Sequence, residues 1–169
     1  IFGPAGGACR AQVITGMDAV NTLDTRLYIP AYTAFVVLAA LFLGHGRLRL
    51  PVLFAAAAGI GALVADYVET ISLLAYTPEL TPTSQALAIS STAAWTKFWL
   101  LGVNALGWAW ICFTAHKPRR ILGVLQIAPI IGVAAAFFMP AQLAMLTAGL
   151  TIGWLSVLAM ALRTAVMGR

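Results

Sequence analysis

Five stretches of this chain run apolar for long enough to leave water. They extend from about Tyr28 to Leu43, Leu50 to Tyr76, Ala88 to Ala115, Ile121 to Met139 and Gln142 to Ala165. A helix needs about 20 apolar residues to cross about 30 Å of hydrocarbon. Lipid offers no water to loose backbone groups, so each run must be helical within it. Charged residues are 9% of the chain and hydrophobic residues 62%, against about 25% charged in a soluble domain. So few charges cannot cover a surface in water. The expected fold is all-α, a polytopic transmembrane bundle of five spans with residues 28–169 in the bundle.

The boundaries of the last two runs rest on Pro140, which follows "FFM" and removes a backbone donor. Without a break there the helix would exceed 40 residues, about 60 Å at 1.5 Å per residue, too long for one bilayer. Residues 1–27 form a lead-in. It starts "IFGPAGGACR" without Met, and the expectation is that a signal peptide or a further span precedes it. Val13, Met17, Val20, Leu23 and Leu27 are spaced for a short interfacial helix, the alternative being an irregular segment packed over the bundle.

Orientation follows from the basic residues. Arg47 and Arg49 lie in the first loop, Lys117, Arg119 and Arg120 in the third, and Arg163 and Arg169 at the C-terminal end. The second loop carries only Glu79, and the fourth no charge. Five spans place all the basic ends on one side, which the positive-inside rule makes cytoplasmic. The N-terminus is therefore expected outside and the C-terminus inside, in a bacterial inner membrane. The formal net charge of +5 does not indicate nucleic acid, because the basic residues are scattered through short loops.

Against this apolar background the internal charges stand out. "ALVADYVETISLLAY" holds Asp66 and Glu69, and "AAWTKFWLLG" holds Lys97. Counting from Leu50, the two acids fall about 24–28 Å from the cytoplasmic edge. Lys97, on a run of opposite direction, reaches the same outer half. Asp24 and Arg26 stand at the mouth of the first span. Asp66 and Glu69 are three apart and share a helix face. Lys97, Asn104 and Trp108 form one stripe, and Asp24, Tyr28 and Tyr32 another if the helix runs through Pro30. A charge facing lipid at mid-depth costs about 2.5–3.5 kcal/mol or more. These groups should therefore face one another as an intramembrane cluster of Asp24, Arg26, Asp66, Glu69 and Lys97. Tyr28, Tyr32, Tyr67, Thr70, Asn104 and Trp108 would line a pocket beside it. Three readings stay open: ion pairs that only fix helix register, a ligand pocket, and proton or ion conduction.

The rest excludes more than it assigns. Cys9 and Cys112 lie in unlike surroundings and do not suggest a disulfide. His45 and His116 sit in loops without nearby acids. No nucleophile–base pair, phosphate-binding loop or metal spacing is present, so neither cofactor nor metal is expected and no reaction can be named. "GLTIG" (149–153) and the small residues Ala128, Gly132 and Ala136 predict close helix packing. Trp95, Trp99, Trp110 and Trp154 fit interface anchors.

The motifs "LDTRLYIPAY" (23–32), "ADYVETISLLAY" (65–76) and "TAAWTKFWLL" (92–101) together resemble a broad family of uncharacterised bacterial multi-pass membrane proteins. Members carry an Asp-x-x-x-aromatic-x-Pro-x-Tyr segment, an Asp-Tyr-x-Glu-Asn helix and a Thr-Lys helix. The resemblance covers roughly residues 15–110. It implies a shared polar site at Asp24, Tyr32, Asp66, Glu69 and Lys97, with Thr70 where the family has Asn, and a further span before the lead-in. It implies no activity.

The functional expectation is a small integral subunit or binding protein, with membrane lipids and a larger membrane complex or further copies of itself as partners. The alternatives are an outer-leaflet pocket for a lipid or isoprenoid-like ligand, with Asp66 or Glu69 transferring protons, and an oligomeric transporter.

Overall fold

The structure, a computed structural model, describes residues 10–44, 49–77, 83–114 and 118–167. His45, Arg47, Glu79, His116, Lys117, Arg169 and Cys9 lie outside them. Every element among the described residues is helical. Helices α1 (Arg10–Leu23) and α2 (Ile29–Leu43) are joined by a π-turn, Asp24–Tyr28, into one rod. Then come α3 (Arg49–Tyr76), α4 (Ser84–Phe113), α5 (Pro118–Leu125), α6 (Ala128–Phe138) and α7 (Leu143–Met167). Helices α5 and α6 form one broken rod, giving five rods in all.

Among the described residues, four stretches are long and apolar enough to cross a membrane: Arg10–Leu43, Leu50–Tyr76, Arg119–Phe138 and Pro140–Val166. Helix α4 is the exception; Lys97, Asn104 and several Ser and Thr residues dilute its apolar run. The rods turn large apolar side chains outward along their lengths, among them Leu38, Leu53, Ile60, Val64, Ile71, Leu155 and Leu158. A water-soluble bundle would turn polar faces outward.

The rods alternate in direction. At one end the Arg119 guanidinium donates to the Leu43 carbonyl (3.1 Å), capping α2 with a cation. At the other, the Tyr76 hydroxyl donates to the Ala86 carbonyl across the α3–α4 turn, and the Thr83 hydroxyl caps α4 by accepting from Ala86 N–H (3.2 Å). Helix α3 lies along α4, α2 against α3, and α6 against α7. Glycines permit the closest approaches. A Cβ at Gly107 would fall 2.7 Å from that of Ala55, and one at Gly149 would fall 2.5 Å from the Ala128 carbonyl oxygen. The GLTIG face is thus used inside the chain, between α7 and the start of α6.

Two features depart from the sequence reading. The lead-in does not end before the first span: α1 runs straight into α2. The joint is a π-turn with a local cause. Pro30 has no N–H to return to Arg26, and the Ile29 N–H bonds Asp24 O instead of the usual Thr25 O. The Thr25 carbonyl so released accepts the Tyr67 hydroxyl (3.0 Å). The second departure is a break at Gln126–Ile127 within the expected fourth span. Pro129, in the first turn of α6, interrupts the backbone ladder. At the break the fully buried Gln126 amide turns to α7, donating to Gly153 O (3.0 Å) and to Ser156 Oγ (2.7 Å). At Pro140 the chain turns as expected, through a short 3-10 segment, Pro140–Gln142.

Candidate functional site: an acid–lysine–tyrosine cluster beside an aromatic cavity

Helices α2, α3 and α4 bring four polar residues to a common point, two of them from α3. Asp66 and Glu69, one helical turn apart on α3, flank the Lys97 ammonium from α4. Lys97 Nζ lies 2.9 Å from Asp66 Oδ1 and 2.5 Å from Glu69 Oε2. From α2, the Tyr32 hydroxyl donates to Asp66 Oδ2 at 2.8 Å. Both Asp66 oxygens thus have a donor, as a buried carboxylate requires. The Asp66 side chain is 9% exposed, Lys97 14% and Glu69 19%. The Lys97 ammonium also stands 4.8 Å from the Phe98 ring centroid, where the ring face favours a cation.

A cavity of about 210 Å³ opens against this cluster. It is lined by Asp66 and Lys97 and walled by Tyr28, Tyr32, Phe98, Leu101, Leu150 and Trp154. The Trp154 ring, from α7, stacks on Tyr32 with centroids 6.0 Å apart, and Tyr28 packs against Tyr32 at 5.4 Å. Phe35 supports the wall from behind, edge-on to both Trp154 and Trp108. Tyr28 is half exposed and forms the rim, while Tyr32 is buried. The arrangement offers a charged, hydrogen-bonding floor with aromatic sides, the usual make-up of a small-molecule site. Among the described residues no group of three or more His, Cys, Asp and Glu could hold a metal ion.

The other residues singled out from the sequence lie elsewhere. Asp24 is half-buried and Arg26 exposed, and among the described residues neither forms an ion pair. Asp24 does not line the cavity that Tyr28 and Tyr32 wall. Tyr67 holds the π-turn. Thr70 is buried on α3 without lining the cavity. Asn104 donates to the Ala55 carbonyl (2.8 Å), tying α4 to α3. Trp108 is wholly buried under Phe35 and does not reach the cavity. Trp95 and Trp99 pack edge-on against Phe137 of α6.

Phe98, Leu101, Leu150 and Trp154 are the wall residues that sequence reasoning missed. Phe98 had a signal: it follows Lys97 directly. Trp154 had none, because its partner Tyr32 lies more than a hundred positions away. Comparison with protein-family models, curated proteins and solved structures finds no match to this chain.

Proposed function

We propose that this chain is a five-span protein of a bacterial inner membrane, with its N-terminal end outside and its C-terminal end in the cytoplasm. In this reading α4 is the fifth span, with Lys97 turned to the cluster and Asn104 to α3. The protein binds a small membrane-soluble molecule in the cavity between α2, α4 and α7, in the outer half of the bilayer. The observation that carries this reading is the cavity itself. Ion pairs that only fix register would close on themselves and need no adjoining space. Here about 210 Å³ remains open beside Asp66 and Lys97, where an apolar cavity of about 150 Å³ accepts a benzene. The rim at Tyr28 gives access from the side, so the ligand can arrive through the membrane.

The test is native mass measurement of the protein released from native membranes in mild detergent. A retained small molecule that disappears with Trp154→Ala supports the reading. Bare protein in both samples argues against it.

A second reading, a subunit of a larger membrane complex, has its own support. Gln85, Thr92 and Thr96 line a shallow groove of about 530 Å³ between α3 and α4, and all three are exposed. Polar side chains at a lipid-facing groove favour cover by another helix. Co-purification of a stoichiometric partner, lost with Thr92→Leu and Thr96→Leu, supports it.

A further inference from the structure

We propose that the cavity selects a protonated amine, a lipophilic organic cation carrying an apolar or aromatic body. This rests on the binding reading above and adds the ligand's charge.

The argument begins with the cluster's formal charge. One ammonium, Lys97, faces two carboxylates, Asp66 and Glu69. Asp66 and Lys97 border the cavity, whereas Glu69 does not. With the three groups ionised, one negative charge stays uncompensated where desolvation makes it costly. The Tyr32 hydroxyl softens this by hydrogen bonding, but it is neutral. A cation in the cavity completes the balance. An anionic headgroup would add to the imbalance, which disfavours phosphate-bearing lipids and isoprenoid phosphates.

The walls point the same way. Tyr28, Tyr32, Phe98 and Trp154 supply aromatic rings on several sides, and ring faces attract cations, most strongly when water is excluded. Tyr32 and Trp154 stack within 20° of parallel, their centroids 6.0 Å apart. The remaining wall, Leu101 and Leu150, suits a hydrocarbon body. An ammonium beside Asp66 would replace no existing donor, because a carboxylate oxygen accepts more than one hydrogen bond.

Glu69 provides the test, since Glu69→Gln removes the surplus charge without touching the wall. Protein in lipid nanodiscs would be titrated with para-fluorobenzylamine, para-fluorobenzyl alcohol and para-fluorophenylacetate, read by fluorine NMR against empty nanodiscs to subtract partitioning. The expected result is saturable binding of the amine, about tenfold or more tighter than the alcohol, and none of the acid. Glu69→Gln should weaken the amine by about tenfold or more and leave the alcohol unchanged, in the range of one close charge–charge interaction. Trp154→Ala should abolish binding of both. The amine–alcohol comparison uses the unaltered protein, so it stands even if Glu69→Gln fails to fold. Equal binding of amine and alcohol would overturn the cation inference and leave the pocket in place. Saturable binding of none of the three would overturn the pocket reading itself.

Discussion

The Lys97 ammonium lies 2.9 Å from the Asp66 carboxylate, and the two residues sit on the helices that share the longest contact in the bundle. Their pairing fixes the register of α3 on α4 at one depth, and Gly107 against Ala55 fixes it at another. A slide of either helix would break both. The ion pair thus serves the fold as well as the cavity, and substitutions must separate the two roles.

Lys97→Met removes the only cation between Asp66 and Glu69 and leaves two acids one turn apart in a water-poor site. Breaking one side of a buried pair costs about 3–5 kcal/mol. The expected outcome is a large loss of thermal stability in detergent. Adding Asp66→Asn and Glu69→Gln to Lys97→Met should recover much of it, because no unpaired charge then remains. A triple variant as unstable as Lys97→Met would show that the lysine acts by packing and not by charge.

Tyr32→Phe keeps the ring that stacks on Trp154 but removes the donor to Asp66 Oδ2. A hydrogen bond to a charged group is worth about 1.5–3 kcal/mol, and a loss of that order is expected in chemical or thermal unfolding. Tyr28→Phe, at the half-exposed rim, should leave stability within about 0.5 kcal/mol of the parent, as surface changes usually do. Equal effects from both would mean that the Tyr32–Asp66 contact carries no special weight.

Tyr67→Phe tests the joint between α1 and α2. The π-turn exists because Pro30 cannot bond Arg26, and it strands the Thr25 carbonyl, which Tyr67 satisfies. Removing the hydroxyl leaves that carbonyl without its partner, at about 1–3 kcal/mol if water cannot replace it. Hydrogen exchange at Ile29 and its neighbours should rise locally, while amides in α6 and α7 stay protected. Uniform acceleration across the chain would contradict a local role for Tyr67.

Much of the helical layout was legible in the apolar runs: α3 begins and ends within a residue of its run, and Pro140 marks a turn, whereas the start of the first rod at Arg10 was not. The meeting of Asp66, Glu69 and Lys97 was legible too, since lipid makes isolated charges so costly that few arrangements remain. The π-turn was not, because it depends on which acceptor Ile29 chooses once Pro30 has removed a donor. The break at Gln126 was hidden for a related reason: the buried Gln126 amide finds its acceptors on α7, at Gly153 and Ser156. Asp24 illustrates the limit of spacing arguments. It shares a four-residue spacing with Tyr28 and Tyr32, yet it neither lines the cavity nor forms an ion pair among the described residues. Trp154 entered the site through its stacking on Tyr32 of α2, a long-range contact that no local pattern encodes.

Gly149 and Gly16 offer a contrast in helix packing. A Cβ at Gly149 would meet backbone, the Ala128 carbonyl oxygen at 2.5 Å and its carbon at 3.1 Å, and backbone cannot rotate away. Gly149→Ala should push α7 off α6 and lower stability by about 1–3 kcal/mol, the range for overpacking. It should also widen the cavity mouth, because Leu150 and Trp154 ride on the same helix. At Gly16, in α1, a Cβ would meet nothing within 4 Å. Gly16→Ala should be neutral or stabilising by about 0.5–1 kcal/mol through helix propensity. Thermal unfolding of the two single variants decides the matter, and a tolerated Gly149→Ala would mean that α6 and α7 do not pack this closely.

Membrane orientation has an equally direct readout. In a background with Cys9 and Cys112 changed to Ala, single cysteines at Ser84 and Thr114 report the two ends of α4, both positions being exposed. The loop before Ser84 carries only Glu79, whereas the loop after Thr114 carries Lys117, Arg119 and Arg120, and basic loops are retained in the cytoplasm. A membrane-impermeant maleimide applied to intact spheroplasts should therefore modify the Ser84→Cys protein at once. The Thr114→Cys protein should react only after the membrane is opened. The reverse pattern would invert the topology and move the Asp66–Lys97 cluster to the inner leaflet. Labelling of both from outside would show that α4 does not cross, leaving four spans and a site open to water on one side.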